Sequence, residues 1–255
     1  MAMCLILFAY KVHPDYKLIV AANRDEFYKR PTAPAHYWED HPDILAGRDL
    51  EKMGTWMGIT RNGRFAALTN YRNPQEVADG KRSRGELVAN ALLYEGNTKE
   101  YIGKLMENKE QYPGYNLLAG DLDELYYFSN IGGELQKLEP GIYGVSNHLL
   151  NTDWPKVIKG KERLSKLMNG NQEGLLDELF TLLQTSDPAP DEQLPKTGVS
   201  LEMERMLSPL FISSEHYGYG TRSSTILLMT NTETQYIERA FTRDGTKEQQ
   251  FKIQI

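Results

Sequence analysis

A chain of 255 residues, 40% of them hydrophobic and 25% charged, is long enough to bury a core as one domain spanning residues 1–255. Its net charge of −6, with no dense Lys/Arg block, excludes the electrostatic footprint of a nucleic-acid or anionic-membrane binder. Cys4 is the single cysteine, which rules out an intrachain disulfide and a cysteine-cluster zinc site, and fits a reducing, cytoplasmic address.

The apolar run at residues 4–10 is too short to span a membrane and lacks the basic flank and cleavage pattern of a signal peptide, so it reads as a strand. Turn chemistry at His13-Pro14-Asp15 connects it to a second strand, residues 17–22, as a hairpin. Strands at 55–60 and 64–69 flank Asn62-Gly63, the dipeptide most favourable to a tight hairpin turn. Ser83 is expected to cap a helix through Leu87, Ala89 and Leu92, with Glu86 completing a capping box and Gly96 ending the helix.

Strand signals return at 116–119, 124–129 and 141–146. Apolar residues at three- and four-residue spacing predict two amphipathic helices, 154–168 and 172–184. A polar, proline-containing loop follows at 186–198, then a short helix at 201–207 and closing strands at 224–230 and 235–241. Antiparallel hairpins interrupted by two helical blocks point to a layered α+β fold, not a doubly wound parallel sheet. No glycine-rich string joins a strand to a helix, so a dinucleotide or phosphate loop is unsupported.

Candidate chemistry begins with Asn23-Arg24-Asp25-Glu26, directly after the second strand. In an extended continuation Asn23 and Asp25 share one face, and Arg24 and Glu26 the other; a charged strand end entering a loop gives the same pattern. Cys4, read alone, is a small hydrophobe in an apolar strand. Hairpin pairing would bring Arg24 beside it to stabilise a thiolate, and a cysteine at a mature N-terminus carries its own α-amine as general base.

Polar clusters at 69–73, 146–148 and 220–224 stand at strand ends. Asparagine amides there suit an oxyanion, and Arg222 suits a carboxylate or support of the nucleophile, although the same residue types are routine turn formers. The five histidines show no metal-ligand spacing, and neither metal nor other cofactor is expected. His36, His41 and Tyr37-Trp38 read as a loop packing its aromatics onto the core, with contact to a planar ligand as the alternative.

Together these segments resemble the NRDE family, related to Transport and Golgi organisation protein two. The resemblance is carried by Ala21-Ala22-Asn23-Arg24-Asp25-Glu26-Phe27, Ala46-Gly47-Arg48-Asp49-Leu50, Gly54-Thr55-Trp56-Met57-Gly58, Leu68-Thr69-Asn70-Tyr71-Arg72, Ser83-Arg84-Gly85-Glu86-Leu87, Gly144-Val145-Ser146-Asn147, Trp154-Pro155-Lys156-Val157 and Tyr219-Gly220-Thr221-Arg222-Ser223-Ser224-Thr225. The family is similar in fold to N-terminal nucleophile (Ntn) hydrolases, especially the cysteine group with penicillin V acylase and bile salt hydrolase. That implies a four-layer αββα sandwich of two antiparallel sheets.

It also implies a small-molecule ligand or substrate, an acylated amide cleaved at its C–N bond. The alternative it implies is haem or lipid handled without turnover by a trafficking protein. Carried over, Cys4 is the nucleophile, Arg24 its thiolate-side arginine, Asp25 the residue orienting the α-amine, Asn147 the oxyanion donor and Arg222 the late active-site arginine. Asn23, Asn70 and Arg72 are the expected substrate contacts. Two departures stand out. The acylases separate arginine and aspartate by two residues, whereas here they adjoin. Family members typically begin Met-Cys, whereas this sequence reads Met1-Ala2-Met3-Cys4: either Met3 is the true start and Met1-Ala2 an addition, or a processing step removes residues 1–3 to expose Cys4, or the hydrolytic mechanism is not used.

Overall fold

The computed structural model describes residues 3–169 and 173–255. The first hairpin forms as expected, β1 (Met3–Tyr10) with β2 (Leu18–Phe27), but β2 runs five residues beyond the expected strand end at Ala22. Asn23, Arg24, Asp25 and Glu26 are therefore inside a strand. Alternation then decides what each side chain meets. In β1, Cys4, Ile6, Phe8 and Tyr10 point into the space between the two sheets, while Leu5, Leu7 and Ala9 point to a helical layer. Being apolar on both faces, the pair belongs in the middle of the molecule.

Strands β3 (Thr32–Tyr37) and β4 (Ile44–Asp49) follow, and His36 and Tyr37, expected in a loop, lie at the end of β3. Trp38, just after β3, is fully buried, donates from Nε1 to the Ala46 carbonyl at 3.2 Å, and carries Arg48 over its ring at 4.1 Å. Its aromatic face is thus used within the protein. β5 (Met57–Thr60) and β6 (Phe65–Asn70) follow as a hairpin, with Gly63 at a φ of +81 in the turn.

Helix α1 (Gly85–Leu93) starts at Arg84, and the expected capping box is absent. Glu86 instead accepts from the Tyr112 hydroxyl and pairs with Arg82, each at 2.5 Å, which leaves the helix N-terminus without a side-chain cap. A second helix not foreseen from the sequence, α2 (Thr98–Glu107), follows Gly96 and is capped by Asn97, which accepts from Glu100 N–H.

Strands β7 (Tyr115–Gly120), β8 (Leu125–Ser129), β9 (Leu135–Lys137) and β10 (Gly141–Val145) precede α3 (Pro155–Leu167) and α4 (Leu175–Leu183). The expected start of the second of these helices, Gln172, lies outside the described residues. α5 (Leu201–Met206) leads to β11 (Ser213–Ser214), β12 (Tyr219–Met229), β13 (Glu233–Thr242) and an unforeseen last strand, β14 (Gly245–Gln254).

The strands make two antiparallel sheets, ordered β10-β1-β2-β12-β13-β14 with β11 on β12, and β3 through β9 in sequence order. Cys4, Ile6, Phe8, Met57, Leu118 and Leu227 belong to the core between them. α1 and α2 cover the outer face of the second sheet, and α3 and α4 that of the first. The result is the αββα sandwich. Each fully buried leucine or isoleucine contributes about 1.5–3 kcal/mol, so three stacked apolar layers fix the order of the elements.

One close approach matters for the site. A β-carbon on Gly54 would lie 2.5 Å from the Gly85 carbonyl carbon, and Thr55 N–H donates to the Gly85 carbonyl at 3.1 Å. The start of α1 is thereby clamped to the segment entering β5. Gly54→Ala is expected to destabilise the fold by about 1–3 kcal/mol through overpacking, measured as a lower urea midpoint; a loss under about 0.5 kcal/mol would show that the clamp is loose.

Candidate functional site

Antiparallel register sets Cys4 opposite Arg24 and Met3 opposite Asp25. Cys4 and Arg24 share the face that looks between the sheets. Both line a cleft of about 660 Å³, whose walls include Thr55, Trp56, Leu68, Asn70 and Ser83-Arg84-Gly85 from the second sheet and α1, and Arg222, Ser223, Glu238 and Phe241 from the first sheet.

The thiol is 4% exposed and its pKa is pushed up to about 12. Burial is the largest cause, followed by the negative charge of Asp25; Arg24 and the Asp25 backbone N–H pull the other way. Arg24 is itself buried, with Nη2 3.5 Å from Glu26 and Nη1 without a partner among the described residues. Burial therefore outweighs the guanidinium, and in this form of the chain the sulfur is a thiol.

Asp25 and Asn23 face the other way. Asn23 donates to the carbonyls of Leu183 and Leu210, at 2.9 and 2.8 Å, and accepts from Ser224 at 2.6 Å. It ties the sheet to the end of α4 and does not line the cleft. Asp25 accepts from Thr221 at 2.7 Å, while its second oxygen has no partner among the described residues. Its pKa is raised by burial, against Lys156, Thr221 and Arg24. Lys156, at the start of α3, is fully enclosed and has its pKa lowered by burial, against the pull of Asp25. Lys156 stands in one of the segments that carry the family resemblance, Trp154-Pro155-Lys156-Val157, but no site role was expected of it.

Arg222 enters the cleft through a β-bulge. Thr221 pairs with Asp25 and Ser223 with Arg24, so Arg222 is the extra residue between them. Its Nη1 donates to the carbonyls of Phe27, Tyr28 and Arg30 at 3.0, 3.0 and 3.2 Å, which holds the turn after β2 against the cleft.

Asn147 is fully buried next to this site but does not line it. Ser146 Oγ donates to the Cys4 carbonyl at 2.9 Å, and Asn147 Nδ2 donates to the Asn70 carbonyl at 2.9 Å. The expected oxyanion amide is thus committed to backbone. Arg72 is likewise no cleft residue. Its Nη1 lies 2.7 Å from Glu204, both groups are buried, and its guanidinium sits 4.5 Å from the Trp154 ring centroid. Of the three expected substrate contacts, Asn70 alone lines the cleft.

Among the lining residues given no site role from the sequence are Arg84, half-buried at the start of α1, and Glu238 on β13. Glu238 accepts from Ala35 N–H at 2.7 Å, and burial raises its pKa. Neither residue type has a spacing signal, because the cleft joins segments remote in sequence.

Two antiparallel sheets packed face to face, with helices outside and a cysteine at the first strand on the cleft floor, define an Ntn-hydrolase-like fold. Among solved structures the chain is similar to a Caenorhabditis elegans N-acylethanolamine-hydrolyzing acid amidase ortholog. The TM-score is 0.50 at 10% identity, over 88% of this chain and 92% of that one. The family model described as Transport and Golgi organisation 2 matches residues 3–243. The Transport and Golgi organization 2 homolog of Mus musculus is 34% identical, and the Bos taurus homolog 35% identical, each over 99% of this chain and 100% of the relative. The chain belongs to the Transport and Golgi organisation 2 family. No helix among the described residues is long and apolar enough to cross a membrane.

The Arg72–Glu204 pair makes a testable structural case. Removing one member leaves a buried charge uncompensated, so Arg72→Met is expected to cost about 3–5 kcal/mol, and Arg72→Met with Glu204→Gln to recover most of it. Urea unfolding of the two variants is the measurement. Equal stability of single and double variants would mean that the pair is not coupled.

Proposed function

We propose that the chain is a cysteine-dependent amidohydrolase of small acylated molecules, working in a reducing compartment such as the cytoplasm once residues 1–3 are removed. The observation that carries this reading is Cys4 opposite Arg24 on the floor of a cleft large enough for a small ligand.

Removal of residues 1–3 converts the Cys4 nitrogen from an amide into an amine. Met3 is the residue paired with Asp25, so the freed amine is one register step from a buried carboxylate whose second oxygen has no partner among the described residues. The amine takes the thiol proton, and the thiolate attacks the acyl carbon. The C–N bond then breaks as the ammonium returns that proton to the departing nitrogen, and water hydrolyses the thioester to carboxylic acid and free thiol. Arg24 stabilises the thiolate. Asn147 serves the oxyanion only by exchanging its bond to the Asn70 carbonyl for one to substrate.

A second reading is favoured by the same thiol: raised by burial, with Asn147 committed to backbone, it suits a cleft that binds and carries a ligand such as haem or a lipid without turnover. The relatives' names, which speak of transport and Golgi organisation, suit that role.

The thiol's environment separates the two. A pKa near 12 in place of the ordinary 9 leaves about a thousandfold less thiolate at pH 8. The intact chain is therefore expected to react with iodoacetamide about a thousandfold more slowly than free cysteine. A chain cut to begin at Cys4, verified by intact mass, should react at least about a hundredfold faster than the intact chain and release amine from N-acyl test amides. If the cut chain reacts as slowly as the intact one and cleaves none of the amides, the non-catalytic reading stands. A haem titration then tests that reading's haem version, which fails if no spectral shift saturates at one equivalent.

A further inference from the structure

The cleft around Cys4 is cationic, although the chain carries a net charge of −6. Nine lysines and arginines line it against four acidic residues, one of which, Asp25, turns its carboxylate to the other face of β2. Several of these cations are satisfied within the protein: Arg30 pairs with Asp49 and Glu51, Arg48 with Asp40, Lys81 with Glu76, and Arg82 with Glu86. Two guanidiniums that interact with Cys4 keep donors to spare. Arg24 pairs with Glu26 through Nη2 at 3.5 Å but leaves Nη1 in the buried floor without a partner among the described residues. Arg84 donates to the Gly114 carbonyl at 3.1 Å and has no carboxylate within ion-pair distance among the described residues. Both interact electrostatically with Cys4.

The backbone adds to this. Ser83, Arg84 and Gly85 all line the cleft, and they begin α1, whose nine residues end here in an uncapped N-terminus. The N–H groups of Glu86 and Leu87 already donate to the carbonyls of Ser83 and Arg84, at 3.2 and 3.0 Å, so what this terminus offers an anion is chiefly the positive end of the helix dipole, and the Gly54–Gly85 approach holds the helix start in place. Guanidinium forks plus a helix N-terminus match the oxygens of a carboxylate or phosphate. The rest of the wall has apolar surface, from Trp56, Leu68 and Phe241. Leu50, Met53 and Val77, exposed at 49%, 51% and 73%, are next in sequence to the lining residues Asp49, Lys52 and Ala78.

From this juxtaposition we propose that the cleft takes an anionic, partly apolar small molecule, whose carboxylate or phosphate is held between Arg24, Arg84 and the N-terminus of α1, beside Cys4. The proposal rests on reading the cleft as a ligand site and names the class of ligand. It explains why a buried arginine keeps an unpaired N–H: desolvating that group costs stability unless a ligand satisfies it. The anion is a binding group, and no bond to it is made or broken.

The test titrates the intact chain with inorganic phosphate, octanoate and octanamide, following tryptophan fluorescence and thermal midpoint. Trp56 in the wall is the reporter. Saturable binding is expected for phosphate, octanoate or both, with octanoate at least about tenfold tighter than octanamide if the anion is a carboxylate. Phosphate binding alone would assign a phosphate or phosphoester group. Arg84→Gln should weaken anion binding about tenfold or more, Arg84→Lys should restore part of it, and Lys137→Gln, exposed on the distant β9, should leave it unchanged. Arg24→Gln provides the second arm should Arg84→Gln prove unfolded.

Octanoate and octanamide binding alike, without phosphate binding, would overturn the anion assignment and leave the cleft as a ligand site. Binding of none of the three probes would overturn it too. Anion affinity unchanged in both arginine variants would place the anion elsewhere and end the proposal.

Discussion

The pairing of β1 with β2 is the constraint on which the rest depends. Both strands are apolar on two faces through most of their length, so they can lie only in the middle of a sandwich with a sheet on one side and helices on the other. Their register fixes Cys4 against Arg24 and sends Asp25 to the opposite face. A slip of one residue would put the arginine among α3 and α4 and the cysteine against an aspartate. The cleft therefore inherits its chemistry from a hairpin that the hydrophobic core holds in place.

Electrostatics at the site is a contest between burial and charge. Burial raises the thiol, Asp25 and Glu238 and lowers Lys156, each toward its neutral form, while neighbouring charges pull back. For Cys4 burial prevails over Arg24. Freeing its nitrogen would add a positive charge on the same residue, and that change bears directly on the balance. The buried Arg72–Glu204 pair and the Asn23 hydrogen bonds sit just behind, and they hold the chain on the far side of the same strands and at the end of β6.

Much of this was legible from local pattern. The Asn62-Gly63 hairpin, the amphipathic repeat that became α3 and the face alternation of Asn23-Arg24-Asp25-Glu26 follow from periods of two and 3.6 that the chain obeys. What was not legible had competing local signals. β3 contains Pro34 and is an edge strand, where a missing N–H is tolerated. β14 is rich in Lys, Glu and Gln because it too is an edge, with polar side chains turned to water. α2 lay hidden behind Gly96, read as a stop with nothing beyond it. At Ser83 the capping-box pattern was present, but Tyr112 and Arg82 compete for the Glu86 carboxylate.

The candidate site was legible only where one segment held it. Cys4 and Arg24 adjoin through a single hairpin, but Arg84, Lys156 and Glu238 reach the cleft or the buried layer behind it from elements with no sequence relation to one another. Arg72 and Asn23, polar and close to conspicuous motifs, turned out to bind the protein itself.

The central claim is that burial beside Arg24 holds Cys4 as a thiol in the intact chain. With one cysteine in the sequence, [3-13C]cysteine labelling gives a single β-carbon resonance to titrate by NMR. A group whose folded pKa is raised favours folding below its unfolded value and loses that contribution as pH rises toward the folded one. The expected result is a resonance that keeps its thiol position up to about pH 10 in the folded chain, while the urea-unfolded chain titrates near the ordinary value of 9. A folded-state midpoint at or below that of the unfolded chain would contradict the claim.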